Sequence, residues 1–427
     1  MLVSSFALSL LAFLPLLAED HVLTLKQAVE IAKKQNPDLV LARLDEQKAQ
    51  LSVKVAKDPF VPKVFAGSGL AYTNGIPQSI DGAAPSVVQA RAVMSIYNRP
   101  QSYRVAQAHQ MERAATEDTA MRQEEAVFRT VLLFLDAEQL NRAATLQREQ
   151  LPALETIRSL IQTRVAEGRD LPLESRKAEL AVAKTKQRLL TLETDVERVE
   201  SALAQVLGLG PQDRVRPAPE DPARLPETPN RDQATQDALR QSKELKLLES
   251  RMLARSLEAK SYLAERLPKL DLVAQYSLLA RFNNFAQFFQ RFQTHNGQLG
   301  VSVTVPLLVG PGARAYATQA EVEVARIRTQ IAQTRNRIAT SVRDAYQDLA
   351  KGEAAFEVAK LDLEVAREQV TVTRARNEEG RASVRELEEA RLAESEKWTA
   401  YHLAQNTLER VRLQILKLSG NLVAALR

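Results

Sequence analysis

One long phrase occurs twice in this chain. TRVAEGRDLPLESRKAELA begins at Thr163 and ARNEEGRASVRELEEARLA begins at Ala375, 212 positions later. Aligned on Gly168 and Gly380, the two share eight positions, including Arg164/Arg376, Glu167/Glu379, Arg169/Arg381 and Glu174/Glu386; average residue usage would give about one by chance. The echo extends well beyond this motif. QNPDLVLA at Gln35 matches QSKELKLL at Gln241, and FVPKV at Phe60 matches RLPKL at Arg266, both at an offset of 206. SYRVAQA at Ser102 matches GARAYAT at Gly312, and Gly208 matches Gly420, so the drift in offset places insertions in two loops. A duplication on this scale requires both halves to fold alike and outweighs any local propensity.

The hydrophobic pattern gives each repeat the order helix, two strands, long helix, turn, helix. The first helix is expected over residues 24–57 with its counterpart over 231–265, and the long helices over 101–167 and 314–379. In the second long helix Val324, Ile327, Ile331, Ile338, Val342, Ala345 and Leu349 recur at three- and four-residue spacing, the seam of a coiled coil. About 66 residues at the helical rise span ~100 Å. The two shorter helices of a repeat together match that length, so one continuous helix should run antiparallel to two stacked shorter ones. Pro152 should kink the first long helix by removing a backbone donor.

Between the helices the period changes to two. Val301, Val303 and Val305 alternate with Ser302 and Thr304; Leu270, Leu272, Ala274, Tyr276 and Leu278 alternate with Asp271, Gln275 and Ser277. In the first repeat Val88, Ala90, Ala92, Met94 and Ile96 oppose Gln89, Arg91 and Ser95, and the glycine-rich KVFAGSGLAY is the weakest of four strands. Each strand has one apolar and one polar face.

Composition fits long helices: 26% charged, 5% aromatic and 14 glycines in 427 residues. The net charge of +5 is spread among alternating signs without a basic block, which argues against nucleic acid as a partner. With no cysteine, disulfides, thiol catalysis and lipoprotein acylation are excluded. His21, His109, His295 and His402 have no ligand spacing, GPG at Gly310 lacks the residues of a phosphate cradle, and neither a catalytic constellation nor a cofactor site is expected. The apolar N-terminal run ending at Ala18 reads as an export signal, a buried or anchoring helix being the other reading. The expected division is 1–18 signal, 19–208 first repeat, 209–229 proline-rich connector and 230–427 second repeat. The connector is either a strapped-down crossover or a loose linker.

Four amphipathic strands in an exported chain either pack on a core or sit in lipid, where only a closed barrel pairs every backbone group. Three copies would supply twelve strands, with the apolar row Val301, Val303, Val305, Leu272 and Tyr276 facing lipid. A small sheet capping a soluble coiled coil is the alternative. The layout resembles the TolC-like outer-membrane efflux proteins. The resemblance rests on the duplicated unit, the tip Gly380-Arg381-Ala382-Ser383-Val384-Arg385-Glu386-Leu387, the opening LTLKQAVEIAKKQNPDL and the repeat-ending LAQVLGL. It implies a mainly α fold with a small β part: long antiparallel helices forming an α-helical barrel in the periplasm, and four strands per chain in a transmembrane β-barrel of a homotrimer. It also implies partners: a periplasmic adaptor (membrane fusion) protein and an inner-membrane RND, ABC or MFS transporter. The chain would be a passive exit channel for small molecules, metals or polypeptides in a tripartite efflux or type I secretion system. A soluble periplasmic coiled-coil adaptor or scaffold is the competing function.

The resemblance makes the hairpin tips Gly168, Arg169, Gly380, Arg381 and Ser383 the surface for the adaptor, and directs Glu386 and Glu389 into the pore at its constriction. A solvated acidic face is the plain reading of those two glutamates. Arg376 is the expected charge partner holding the gate. The first tip departs from the pattern: it lacks the serine, carries Pro172, and has Lys177 at the place of Glu389. The phenylalanines of RFNNFAQFFQRF and the loop TNGIPQSIDGAAPS would lie at the outer mouth, packed on themselves or forming an aromatic girdle.

Overall fold

A computed structural model describes residues 20–69, 86–218, 228–280, 293–308 and 310–425. The export-signal stretch, the Phe-rich segment, the end of KVFAGSGLAY, nearly all of TNGIPQSIDGAAPS and the middle of the connector lie outside the described residues. The first repeat runs β1 (Asp20–Leu23), α1 (Leu25–Gln35), α2 (Pro37–Lys57), β2 (Lys63–Gly69), β3 (Ser86–Asn98), α3 (Arg99–Ala166) and α4 (Pro172–Leu207). After β4 (Arg214–Pro217) the second runs α5 (Arg231–Gln241), α6 (Lys243–Leu263), β5 (Lys269–Leu279), β6 (His295–Thr304), α7 (Pro311–Glu378), α8 (Val384–Leu418) and the short α9 (Leu422–Ala425).

The first helix of each repeat is broken where the sequence pattern predicts a single rod. The breaks fall at Asn36 and Ser242, 206 positions apart. Pro37 has no N–H to give to α1 and opens α2 instead. Asn36 serves both sides of the break. Its carboxamide oxygen accepts from the Leu39 N–H at 3.0 Å, and its side-chain nitrogen donates to the Val206 carbonyl at 2.7 Å. A single polar side chain thereby ends one helix, caps the next and ties both to α4.

The two long helices hold 68 residues each. The first continues through Pro152 from Arg99 to Ala166 without a break. Along α7, Ile327, Ile331, Val342, Ala345 and Leu349 are buried at the spacing read from the sequence, with Thr334 filling a seam position that hydrophobicity alone does not reveal.

Two compact units result, each drawing on both repeats. One comprises Met1–Leu41, Met121–Ser242 and Arg337–Arg427; the other Ala42–Ala120 and Lys243–Asn336. In the first, α1 is a wedge. Thr24 and Gln27 form a capping box that starts it. Ala28 and Ala32 then pack on Phe134, Leu203, Leu207 and Val215, while Val29 packs on Val127, Val131 and Leu413. The duplicated positions Ala234 and Ala238 on α5 pack on Val342 in the same manner. Alanine at these sites lets helix backbones approach closely. At the C-terminal end of α4 the approach is tighter still. A Cβ on Gly208 would lie 2.4 Å from the Gln35 carbonyl oxygen, and the residue has φ +77°. Strand β1 pairs in parallel with β4, and the Ala218 N–H donates to the Leu23 carbonyl at 2.8 Å, so the start of the connector is held against the N-terminal strand. In the second unit one antiparallel sheet has the order β2-β3-β5-β6, its central pair joining the two repeats.

Asn36→Ala removes a helix cap and leaves the buried Val206 carbonyl unpaired, and should lower unfolding free energy by about 1–3 kcal/mol. Denaturant titration of the detergent-solubilised protein measures this; an unchanged midpoint would show that the break does not depend on this side chain.

Candidate functional site

Both long helices end in the same motif. Gly168 and Gly380 adopt φ +73° and +70°. The Gly168 N–H donates to the Val165 carbonyl and the Arg169 N–H to the Arg164 carbonyl; in the second tip Gly380 donates to Asn377 and Arg381 to Arg376, all at 2.7–3.0 Å. These are Schellman caps, which need a left-handed residue, and glycine supplies it without a Cβ clash. Just outside, Arg169 pairs with Glu167 and Arg381 with Glu379, each at 3.2 Å.

Beyond the caps the two tips diverge. Ser383 starts α8: its hydroxyl accepts from the Glu386 N–H at 3.2 Å, and the Glu386 carboxylate accepts from the Ser383 N–H at 2.6 Å. This is the reciprocal capping box that S-x-x-E encodes. Those hydrogen bonds from Ser383 hold the Glu386 carboxyl below the usual glutamate range, and the Arg376 charge adds to the effect. In the first tip Leu171 and Pro172 replace the box, with proline at the first helical position where no N–H is missed. Leu171 and Leu173 are left exposed.

One cation links the tips. The Arg385 guanidinium lies 2.5 Å from a Glu174 carboxylate oxygen on α4 and 3.0 Å from Glu389 one turn along α8. Lys177 holds Glu174 from the other side at 3.0 Å. Hydrogen bonding to Lys177, with the Arg385 charge, keeps Glu174 below its ordinary value, and the Glu389 and Glu174 contacts raise Arg385. Arg376 meets Glu386 through charge alone and makes no ion pair within 4 Å among the described residues; its carbonyl caps the helix end. Sequence reasoning missed Arg385. Its partner Glu174 is 211 positions away, and Leu173 occupies the duplicated position, so no local pattern marks the contact.

The sheet carries the second set of residues. Register places Leu272 opposite Val301 and Met94, Leu270 opposite Val303, Ala274 opposite Leu299 and Ala92, and Tyr276 opposite Ala90. Directly opposed residues share a face, so these form one apolar surface, on which Val64, Leu299, Val301 and Val303 are exposed. Two details differ from the strand pattern. Val305 falls one residue past the end of β6. The pairing of β3 slips between Ser95 and Tyr97, so Tyr97 rather than Ile96 opposes Leu270 and joins the apolar row; a bulge inserts one residue and flips the facing of those after it. The four strands hold four charged residues, Lys63, Arg91, Lys269 and Asp271, and register puts all of them on the opposite face.

No cluster able to hold a metal ion occurs among the described residues, and none of their helices is long and apolar enough to cross a membrane. The histidines have separate settings: His295 hydrogen-bonds Tyr276, His109 faces Glu112, and His402 stacks on Trp398.

A model described as outer membrane efflux protein matches residues 28–209 and 234–427, one stretch in each repeat. No curated protein sequence matches the chain. Among solved structures it is similar to the CmeC outer membrane channel of Campylobacter jejuni, at 14% identity and TM-score 0.77 over 93% of this chain and 86% of that one. It is also similar to a membrane protein from Pseudomonas aeruginosa, at 17% identity and TM-score 0.75 over 92% of each chain. VceC of Vibrio cholerae gives 16% and 0.71 over 94% of this chain and 95% of that one. At these identities the likeness is one of fold.

The capping box makes a pH prediction. Glu386 has a depressed folded-state value, so its contribution is present above the unfolded glutamate value and is lost as pH falls through the folded one. Amide protection factors in the first turn of α8, taken relative to the intrinsic exchange rate at each pH, should therefore fall below about pH 4. Ser383→Ala should produce the same loss of protection at neutral pH, about 1 kcal/mol. Equal protection in wild type and variant would remove the box from the account.

Proposed function

The chain belongs to the outer membrane efflux protein family, and from that membership we propose that three copies assemble into a passive exit duct. It is a transport protein and not an enzyme. Each copy contributes β2, β3, β5 and β6 to a closed barrel of twelve strands in the outer membrane, with the long helices in the periplasm. Residues 1–18 serve as the export signal, and the two repeats, 19–208 and 230–427, flank the connector 209–229. The duct serves a tripartite efflux or type I secretion system, passing small molecules, metals or polypeptides from an inner-membrane transporter through a periplasmic adaptor that docks at the tips. The exposed Leu171 and Leu173 of the first tip and the polar Arg381 and Ser383 of the second offer that adaptor two different surfaces.

One observation carries this reading: all charge on the strands lies on one face, while the other is apolar, exposed and ends in two unpaired edges, β2 and β6. Lipid accepts such a sheet only when its edges are closed. A soluble scaffold would leave Val301, Val303 and Leu299 in water without a purpose. At the tips, the Arg385–Glu174 pair latches one hairpin to the other, and Glu389 lies within reach of the same guanidinium. Glu386 and Glu389, copied threefold, would give the constriction a carboxylate ring that favours cations.

Protein extracted in detergent should sediment as a trimer and conduct in planar bilayers; a water-soluble monomer would overturn the proposal. Val303→Arg places a charge in lipid at about 2–4 kcal/mol per chain near the midplane and should abolish assembly. Thr304→Arg, on the opposite face, should assemble. Equal tolerance of the two would count against the barrel.

The latch is tested by current. Arg385→Ala should raise resting conductance, and more than Arg376→Ala does, because only the former breaks a direct ion pair. Replacing both Glu386 and Glu389 by Gln should remove block by multivalent cations added from the helical side. Unchanged conductance in Arg385→Ala would show that the pair is only a surface contact.

A further inference from the structure

The polar face of the sheet is uneven in charge. Its four charged residues fall in three settings. Lys63 forms an ion pair with Asp58, just before β2. Lys269 and Asp271 are two apart on β5, hence neighbours on one face, and Asp271 also accepts from the Ser95 hydroxyl at 2.5 Å. Lys63 and Lys269 are duplicated positions, 206 apart at the starts of β2 and β5. Arg91 stands apart from these. Its row across the sheet reads Phe65, Arg91, Gln275, Gln298, with no acid in it, its side chain is exposed, and it makes no ion pair among the described residues. It pairs with Phe65 and Gln275, away from the ends of both partner strands.

We propose that Arg91 is a selectivity-determining residue of the barrel lumen: three guanidiniums at one height form an anion-attracting ring. The proposal rests on the trimeric-barrel reading above. Closing the sheet with its apolar face to lipid turns the polar face inward, and threefold symmetry repeats the Arg91 row at one level. A ring of like-charged side chains in a water-filled pore concentrates ions of opposite sign. Guanidinium stays ionised at any working pH, so the ring does not titrate. The neighbouring glutamine amides can donate hydrogen bonds but bring no compensating charge. Multivalent anions such as phosphorylated or polycarboxylate cargo are the class this ring would detain, whereas the tip carboxylates would act on cations.

The chain lacks cysteine, so a single introduced thiol is the only one present. Arg91→Cys, Ala92→Cys and wild type are reconstituted in planar bilayers, and hexacyanoferrate(II) is added from the sheet side. Wild-type conductance should fall by roughly twofold, as a charged ring in a pore allows. The fall should vanish in Arg91→Gln, persist in Arg91→Lys and deepen in Asp271→Asn. A cationic, membrane-impermeant thiosulfonate should label the thiol of Arg91→Cys but not that of Ala92→Cys, and should restore the hexacyanoferrate effect in the Arg91→Cys channel. If the Arg91→Cys thiol is labelled from water yet Arg91→Gln responds like wild type, the inference fails and the barrel stands. A wild-type channel indifferent to hexacyanoferrate overturns the inference in the same way. If the Arg91→Cys thiol is sealed from the aqueous reagent while that of Ala92→Cys reacts, the face assignment is inverted and both readings fall.

Discussion

A strand at the edge of a sheet presents a row of N–H and C=O groups that must find partners, and β2 and β6 each present one. In water these groups can be solvated, but in lipid they cannot, and each orphan costs several kcal/mol. The apolar residues that share a face with those edges make water the wrong solvent as well, because Val301, Val303 and Leu299 are exposed to it in the isolated chain. In the proposed assembly both problems have the same solution, which is more strands of the same kind from further copies of the chain. The bulge at Ile96 belongs to this requirement. By inserting one residue it brings Tyr97 rather than Asn98 onto the apolar surface just before α3 begins.

At the C-termini of α3 and α7 the demand is different, since a helix must reverse in a few residues while satisfying its last carbonyls. Left-handed glycine solves this twice with the same hydrogen bonds. The residues after the glycines need not be symmetric. The capping box commits the Glu386 carboxylate to the Ser383 backbone, so this side chain is bound to its own helix before any neighbouring copy is considered. Glu389 has no such obligation and, among the described residues, pairs with Arg385. The two glutamates that one spacing rule places together therefore have different roles: one orders the start of α8, the other shares a cation with the facing hairpin.

Much of this was legible in the sequence because it is periodic or local. The duplication, the alternation in the strands, the seam of α7 and the left-handed glycines depend on patterns within a few residues or on direct self-comparison. Three features escaped for physical reasons. The break at Asn36 competes with an amphipathic pattern that runs on through it; Pro37 marks it locally, and a hydrogen bond to Val206, 170 positions away, ties it to α4. The register slip in β3 is invisible to a period of two, which carries no information about one inserted residue. The sequence points to Arg376 on α7 as the charge partner at the tip and gives no sign of Arg385, whose pairing with Glu174 depends on which helix lies opposite. Long-range pairing fixes the register slip and the tip contact, and a single sequence does not encode it in any window.

The duplication itself sorts structural residues from those facing outward. Where the two repeats agree, the shared residue packs or caps. Ala28 with Ala234 and Ala32 with Ala238 are close-contact alanines, and Gly168 with Gly380 are left-handed caps. Each of these is constrained by its own repeat and would be so in either half. At the tips the repeats differ, and one of the differing residues, Arg385, reaches across to the other repeat. Leu173 and Arg385 occupy equivalent places, yet one is an exposed apolar side chain and the other bridges the tips. Lys177 and Glu389 have opposite charge at one position, and among the described residues Glu174 pairs with Lys177 and Arg385 while Glu389 pairs with Arg385. Two identical hairpins would repel or attract equally at every contact. Exchanging charge at one pair of sites gives the hairpins unlike surfaces, and the Arg385–Glu174 pair joins them within a single chain.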